Sequence, residues 1–192
     1  MKHATPGSCS FTILLSALVA LPLLLSCRSK TQPSIEGGEK MDIKVTSQAF
    51  QEGGMIPKKY SGEGDDVSPP LVWGPVPAGA KSLVLISDDP DAPVGTWVHW
   101  VLYNLPPNVT ELAENVPPTE TLGNGAKHGK NDFRKLGYGG PMPPSGTHRY
   151  FFKVYALDAV LNLPAGATKS QLLKAMEGHI LGQGQLMGKY KR

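Results

Sequence analysis

Two histidines in this chain stand at the same kind of place. His99 follows the loop Asp89-Pro90-Asp91-Ala92-Pro93 and the spacer Val94-Gly95-Thr96, at the start of an aromatic, β-branched run that opens on Trp97. His148 follows Gly137-Tyr138-Gly139-Gly140-Pro141-Met142-Pro143-Pro144-Ser145-Gly146-Thr147 and opens a second such run, with Tyr150 two residues on. Proline fixes φ and removes a backbone donor, so neither loop can join a sheet interior. Each imidazole is thus expected at the mouth of a strand, against a rigid loop.

If the two strand starts meet, His99, His148, Tyr150, Trp97, Asp89 and Asp91 share one cavity, walled by Pro143 and Pro144. Imidazole N–H, phenol O–H and backbone N–H are all donors, and the glycine run is expected to turn its N–H groups toward a ligand. That set suits an oxyanion, phosphate above all. The carboxylates would orient the imidazoles or accept from an ammonium group. Donors at one end and an acceptor at the other match a zwitterionic phosphate ester. Two histidines and two aspartates also make a metal-ligand set, so a metal-dependent hydrolase is the competing chemistry. The chain carries no Gly-x-Ser-x-Gly elbow, no His-Glu-x-x-His pair and no phosphate loop.

The elements that would position these residues read as strands. Leu83-Val84-Leu85-Ile86 has strand length and composition. Simple alternation along the next run puts Trp97, His99, Val101 and Tyr103 on one face and Val98, Trp100 and Leu102 on the other. It likewise puts His148, Tyr150, Phe152 and Val154 together, opposite Arg149, Phe151, Lys153 and Tyr155. A short strand is expected at residues 42–45, and the extended segment 67–73 is expected to lead into another that ends at Gly74-Pro75. Residues 115–140 form a long, glycine-rich loop in which His128, between two lysine-bearing positions, is expected to be solvated. One helix is predicted near the C-terminus, opened by a Thr168/Gln171 capping box and carrying Leu172, Leu173, Met176 and Ile180 as its apolar stripe. His179 is expected at the surface, and residues 185–192 as a last short strand or a frayed tail. Many short strands, Pro/Gly turns and one late helix predict a mainly β protein built as a sandwich.

Residues 1–26 read as a lipoprotein signal peptide: Lys2, an apolar run from Phe11 to Leu25, then Leu24-Leu25-Ser26-Cys27 with the cysteine as lipidation site. Residues 27–40 are a polar tether and residues 41–192 one domain. The mature chain would then be held by its lipid at the bacterial envelope, at the outer membrane facing the periplasm where there are two membranes. Cys9 leaves with the signal and Cys27 carries lipid, which excludes cysteine chemistry. The formal net charge of +3 falls to +2 with the loss of Lys2, so composition offers no case for nucleic-acid binding.

Three motifs, with a fourth upstream, carry a family resemblance. Asp-Pro-Asp-Ala-Pro at 89–93, Trp-x-His at 97–99, the run from Gly137 to Tyr150, and Ser68-Pro69-Pro70-Leu71 with Trp73 resemble the phosphatidylethanolamine-binding protein family, in its bacterial kinase-inhibitor-like branch. The resemblance runs from about residue 41 to the C-terminus. It implies a Greek-key antiparallel β-sandwich with a few short helices and a small anion pocket made by Asp89, Asp91, Trp97, His99, Pro143, His148 and Tyr150. The spacer between Pro93 and Trp97 is shorter than in animal members. Kinase inhibition in the family uses surfaces outside these motifs, so it is not carried over. The expected function is non-catalytic binding of phosphorylated head groups or similar small anions, with no cofactor. The alternative is an inhibitor or interaction module for an extracytoplasmic protein, with the pocket regulatory.

Overall fold

The computed structural model describes residues 40–192. The signal peptide, the lipidation site Cys27 and all of the tether but Lys40 lie outside the described residues. Among the described residues nine strands and one helix follow in order: β1 (Met41–Asp42), β2 (Lys44–Thr46), β3 (Leu71–Gly74), β4 (Ser82–Asp89), β5 (Trp97–Leu105), β6 (Glu111–Leu112), β7 (Lys127–His128), β8 (Thr147–Leu157), α1 (Lys169–Met176) and β9 (Ile180–Lys191). A single 3-10 turn spans Lys58–Tyr60.

The strands form a six-stranded sheet, in the order β1-β9-β8-β4-β5-β7, and a three-stranded sheet, β2-β3-β6. The mainly β expectation holds, with two sheets and a short helix late in the chain. All pairings of named strands are antiparallel except β1 with β9, which run parallel.

The central strand β4 is buried at every position, which is why its apolar run is continuous rather than alternating. Leu83 and Leu85 face the small sheet, packed with Trp100, Leu102, Phe152, Val154 and Leu186 against Ile43, Leu71 and Trp73. Val84 and Ile86 face the other way, with Val101, Tyr103 and Leu157 against Leu172 and Met176 of α1. The large sheet therefore has an apolar layer on each face.

The helix begins as the sequence predicts: the Thr168 side chain accepts from the Gln171 N–H, and the Gln171 side chain bonds back to the Thr168 N–H. Its stripe is narrower than predicted. Leu172 and Met176 are buried, Leu173 is exposed, and Ile180 already belongs to β9. The C-terminal tail is the larger surprise. It is a twelve-residue strand paired along β8. Glycines hide it: Gly182, Gly184 and Gly188 disguise the strand because each stands where another backbone or side chain comes close. A Cβ on Gly184 would lie 1.6 Å from the Ile43 carbonyl oxygen. His128 is not solvated. It sits in β7, fully buried, near-parallel to Trp100.

Candidate functional site

The face on which His99 lies is decided by one irregularity. Ser87 pairs with Trp100 and Asp88 with Val98, so β5 carries an extra residue, His99, at a β-bulge. A bulge re-aims the side chain it displaces. Val98, Val101 and Tyr103 pack on the helix side, while Trp100 and Leu102 pack on the small-sheet side. His99 points to Tyr150, which also lies in the small-sheet core. The rings meet edge to face with centroids 5.1 Å apart. Simple alternation, which put His99 with Val101 and Tyr103, fails here because of that inserted residue. On β8 alternation holds: His148, Tyr150, Phe152 and Val154 are buried together and their neighbours are more exposed.

A cavity of about 180 Å³ opens between these strand ends. It is lined by Asp89, Trp97, His99, Pro143 and Tyr150, together with Ala92, Pro93, Val94, Phe133, Met142 and Pro144. Five of the seven residues expected from the sequence therefore meet at its wall. The other two stand behind it. His148 bonds through Nδ1 to Asp89 Oδ2 at 2.8 Å, and so reaches the cavity through Asp89. Asp91 turns to the rim. Its carboxylate accepts both the Nε–H and the Nη2–H of Arg149, as well as the Arg149 backbone N–H. Those bonds hold the Asp91 carboxyl at about 2, below the usual carboxylate range.

Asp89 closes β4 and begins the loop. Its Oδ1 accepts the Asp91 N–H at 2.8 Å, a short turn that leaves Oδ2 to His148. Although three residues separate Pro93 from Trp97, Gly95 at φ +96° makes the connection tight.

The glycine run serves packing and not N–H presentation at its key positions. The Gly139 N–H donates to the His99 carbonyl and the Gly140 N–H to Asp66 Oδ1. A Cβ on Gly139 would lie 2.7 Å from the Phe133 ring, and one on Gly140 would lie 2.5 Å from the Tyr60 carbonyl oxygen. In return the Gly139 carbonyl accepts the His99 Nδ1–H at 2.6 Å. Burial pushes the His99 imidazole below its ordinary pKa, against the pull of Asp89, Asp88 and Asp132. His99 is thus a neutral imidazole with its proton on Nδ1.

Tyr150 is the opposite case. Its hydroxyl is buried and has no hydrogen-bond partner. Burial first, and then the charge of Asp89 and a hydrogen bond directed at its carboxylate, raise the Tyr150 pKa, so it stays an O–H donor; that contact falls short of full hydrogen-bond geometry. A buried hydroxyl left short of a full hydrogen bond costs about 1–3 kcal/mol, and the Tyr150 side chain lines the cavity.

Phe133 is the wall residue that sequence reasoning missed. It meets Trp97 and His99 edge on, at centroid distances of 5.5 and 5.3 Å. It lies in the long loop, where no periodicity marks it. Its neighbours fasten it: Asp132 accepts the Val98 N–H and Asn131 bonds to the Gly137 carbonyl and the Lys135 N–H. Among the described residues no group of three or more His, Cys, Asp or Glu side chains is arranged to hold a metal ion.

A two-sheet β fold with a small His-Asp-Tyr pocket at the strand ends is the class this geometry defines, and comparison with known proteins gives it a family. The family model for phosphatidylethanolamine-binding protein matches residues 46–191. A UPF0098 protein of Methanothermobacter thermautotrophicus is 53% identical over 150 residues, covering 78% of this chain and 99% of that protein. The crystal structure of a phosphatidylethanolamine-binding protein homologue from Chlamydia trachomatis matches with a TM-score of 0.73 at 48% identity, covering 79% of this chain and 98% of that one. YbcL of Escherichia coli matches with a TM-score of 0.73 at 31% identity, covering 79% and 99%. The chain belongs to the phosphatidylethanolamine-binding protein family, beside the archaeal and bacterial UPF0098 proteins and YbcL.

Proposed function

We propose that the protein is a non-catalytic binder of small phosphorylated or similarly anionic molecules, held at the bacterial envelope by a lipid on Cys27. The observation that carries this reading is the cavity of about 180 Å³ at the strand ends, where the side chains of His99, Tyr150 and Asp89 converge with His148 behind Asp89. These are the polar side chains that a small ligand entering the cavity can engage. The volume is below the roughly 300–1,000 Å³ of drug-sized sites, which fits a head group and not a whole lipid. Asp91 enters the proposal as a brace of the rim loop, through Arg149, and His148 as the partner that orients Asp89. The cavity wall offers no serine, cysteine or lysine nucleophile, which favours binding over covalent chemistry.

The test is a titration of the full chain in detergent micelles with phosphorylethanolamine and with inorganic phosphate, following the His99 and His148 ring signals by NMR. Saturable shifts at micromolar to millimolar ligand are expected, about tenfold weaker or more in Tyr150→Phe and absent in His99→Ala. Unmoved signals at tens of millimolar ligand would sink the reading.

A further inference from the structure

A second concavity, of about 770 Å³, lies between α1 and the loop of residues 130–134, with Val98 of β5 in its wall. It shares no lining residue with the cavity at the strand ends. The helix borders it from the N-cap Thr168 to the C-cap Glu177. The groove therefore runs the length of α1, about 12 Å at 1.5 Å per residue. An extended chain, rising about 3.3 Å per residue, spans that distance with about four residues.

Four cations line the groove, Lys130, Arg134, Lys169 and Lys174, against two carboxylates, Asp132 and Glu177. The whole chain has a formal net charge of only +3, so this surplus is a local concentration of charge. Lys169 is already committed to Asp88, and Asp132 gives one oxygen to the Val98 N–H. Lys130, Arg134 and Lys174 are exposed and make no ion pair among the described residues. Between the helix cations stands Leu173, an apolar side chain left 40% exposed.

Arg134 is the most telling of these residues. Its φ of +63° is a left-handed conformation that glycine adopts freely and an arginine adopts at a cost. The surroundings impose that turn. The Arg134 N–H donates to the Asn131 carbonyl, Asn131 Oδ1 accepts the Lys135 N–H, and Asp132 bonds to both the N–H and the carbonyl of Val98. Glycine would suit the turn better, and the fold draws no ion pair from the guanidinium among the described residues. A long cation held there at a backbone cost points outward, to a partner.

We propose that this groove is a docking surface for an acidic, extended segment of a partner protein, its carboxylates meeting Arg134, Lys130 and Lys174 and an apolar side chain resting on Leu173. The positive surplus selects an acidic partner. The concave, helix-long shape fits a short stretch of chain and not the flat surface of a bilayer. This surface is independent of anion binding at the strand ends.

The experiment titrates the full chain, in phosphatidylcholine nanodiscs at low salt, with the acetylated and amidated peptide Glu-Asp-Leu-Glu-Asp, following backbone amide signals by NMR. Saturable shifts gathered at Arg134, Leu173 and Lys174 are expected, lost with the uncharged peptide Gln-Asn-Leu-Gln-Asn and weakened by added salt. Arg134→Gly is expected to bind about fivefold more weakly with a urea midpoint that does not fall, because glycine suits the left-handed turn. Lys174→Gln should also weaken binding. Lys44→Gln, which removes the same charge from β2 in the small sheet, should leave it unchanged. Equal weakening by Lys44→Gln and Arg134→Gly would show that the peptide reads net charge alone and would overturn the inference, as would absence of binding at millimolar peptide. A urea midpoint that falls in Arg134→Gly would assign the side chain to the turn, and also overturns it. Groove signals that move when phosphatidylglycerol replaces phosphatidylcholine, and then no longer answer to the peptide, would give the surface to the bilayer instead. A dimer in solution that Arg134→Gly abolishes would give it to a second copy of this chain. Either result overturns the proposal and leaves anion binding at the cavity standing.

Discussion

Asp88 and Asp89 are neighbours on β4, both almost fully buried, and they live in different worlds. Asp88 points to the helix side of the sheet. Its carboxylate accepts from Lys153 Nζ at 2.8 and 3.1 Å and from Lys169 Nζ, so two cations close around one anion. Asp89 points to the pocket side, where one imidazole and one backbone N–H hold it and no lysine or arginine stands at the cavity. Alternation along one strand thus separates a closed charge cluster from an open one. A closed cluster can only hold the fold together, whereas an open one at a cavity can take a ligand.

The strongest way to break that contrast is Asp88→Ala. It leaves two lysine heads, each only about a quarter exposed at 28% and 23%, facing one another without their anion. Removing one member of a buried pair is strongly destabilising. Allowing for the exposure of the lysines, a loss of about 2–3 kcal/mol is expected, read as a lower urea midpoint. Phosphate affinity of the folded protein should stay within about twofold, since Asp88 faces away from the cavity. A large loss of affinity at unchanged stability would show that the two faces are not independent.

How much of this could be read from the chain follows the same division. The pocket residues were legible because rigid loops and strand starts are local signals: prolines and glycines beside His99 and His148 say where each imidazole stands. The pairing of His148, Tyr150, Phe152 and Val154 on one face followed from the period of two. The bulge at His99 was not legible, because an inserted residue is set by the register with β4 and leaves no mark on β5 itself. Phe133 was not legible either, since a loop residue takes its position from Asn131 and Asp132, not from a repeat. Strand β9 was largely missed: the glycines that let β1 and β2 cross it read locally as a turn or a frayed end. His128 was misplaced because its lysine-bearing surroundings suggested solvent, while its pairing with β5 buries it. Lipidation at Cys27 falls outside the described residues, so it stands on the sequence motif alone.

Acidification sharpens the comparison at intermediate size. The helix side buries charges that are paired, but the pocket side buries neutral imidazoles, His99 and His128. Burial lowers the pKa of both in the folded protein. The unfolded chain, with imidazoles near 6.5, therefore binds more protons below that pH than the folded one does. Stability is complete above about pH 6.5 and declines as the pH falls below it, with a slope of at most about 1.4 kcal/mol per pH unit per imidazole. Urea midpoints at pH 7.5 and 5.5, without ligand, check this. Stability that is unchanged or higher at pH 5.5 would mean that these imidazoles gain protons in the folded state.

The smallest effect is expected at the rim, and it decides what Asp91 does. Asp91 and Arg149 form a two-point ion pair, but the arginine side chain is 51% exposed and the aspartate 28%. Water and salt screen such a pair, so it contributes little to stability. The Asp91 carboxyl, held at about 2 where its ordinary value is 3.8, adds stability above about pH 3.8 that is lost as the pH falls from there through 2. Arg149→Gln removes the guanidinium but leaves the backbone N–H of residue 149 on Asp91 Oδ2, so the loop keeps one of its three ties. The urea midpoint should hardly move, and phosphorylethanolamine affinity should change by less than about threefold. A gain in affinity, with an Asp91 that now responds to ligand, would move Asp91 from brace to contact. A tenfold loss would show that the rim loop must be held in place for the wall beneath it to bind, and the open cluster would then extend from Asp89 to the surface.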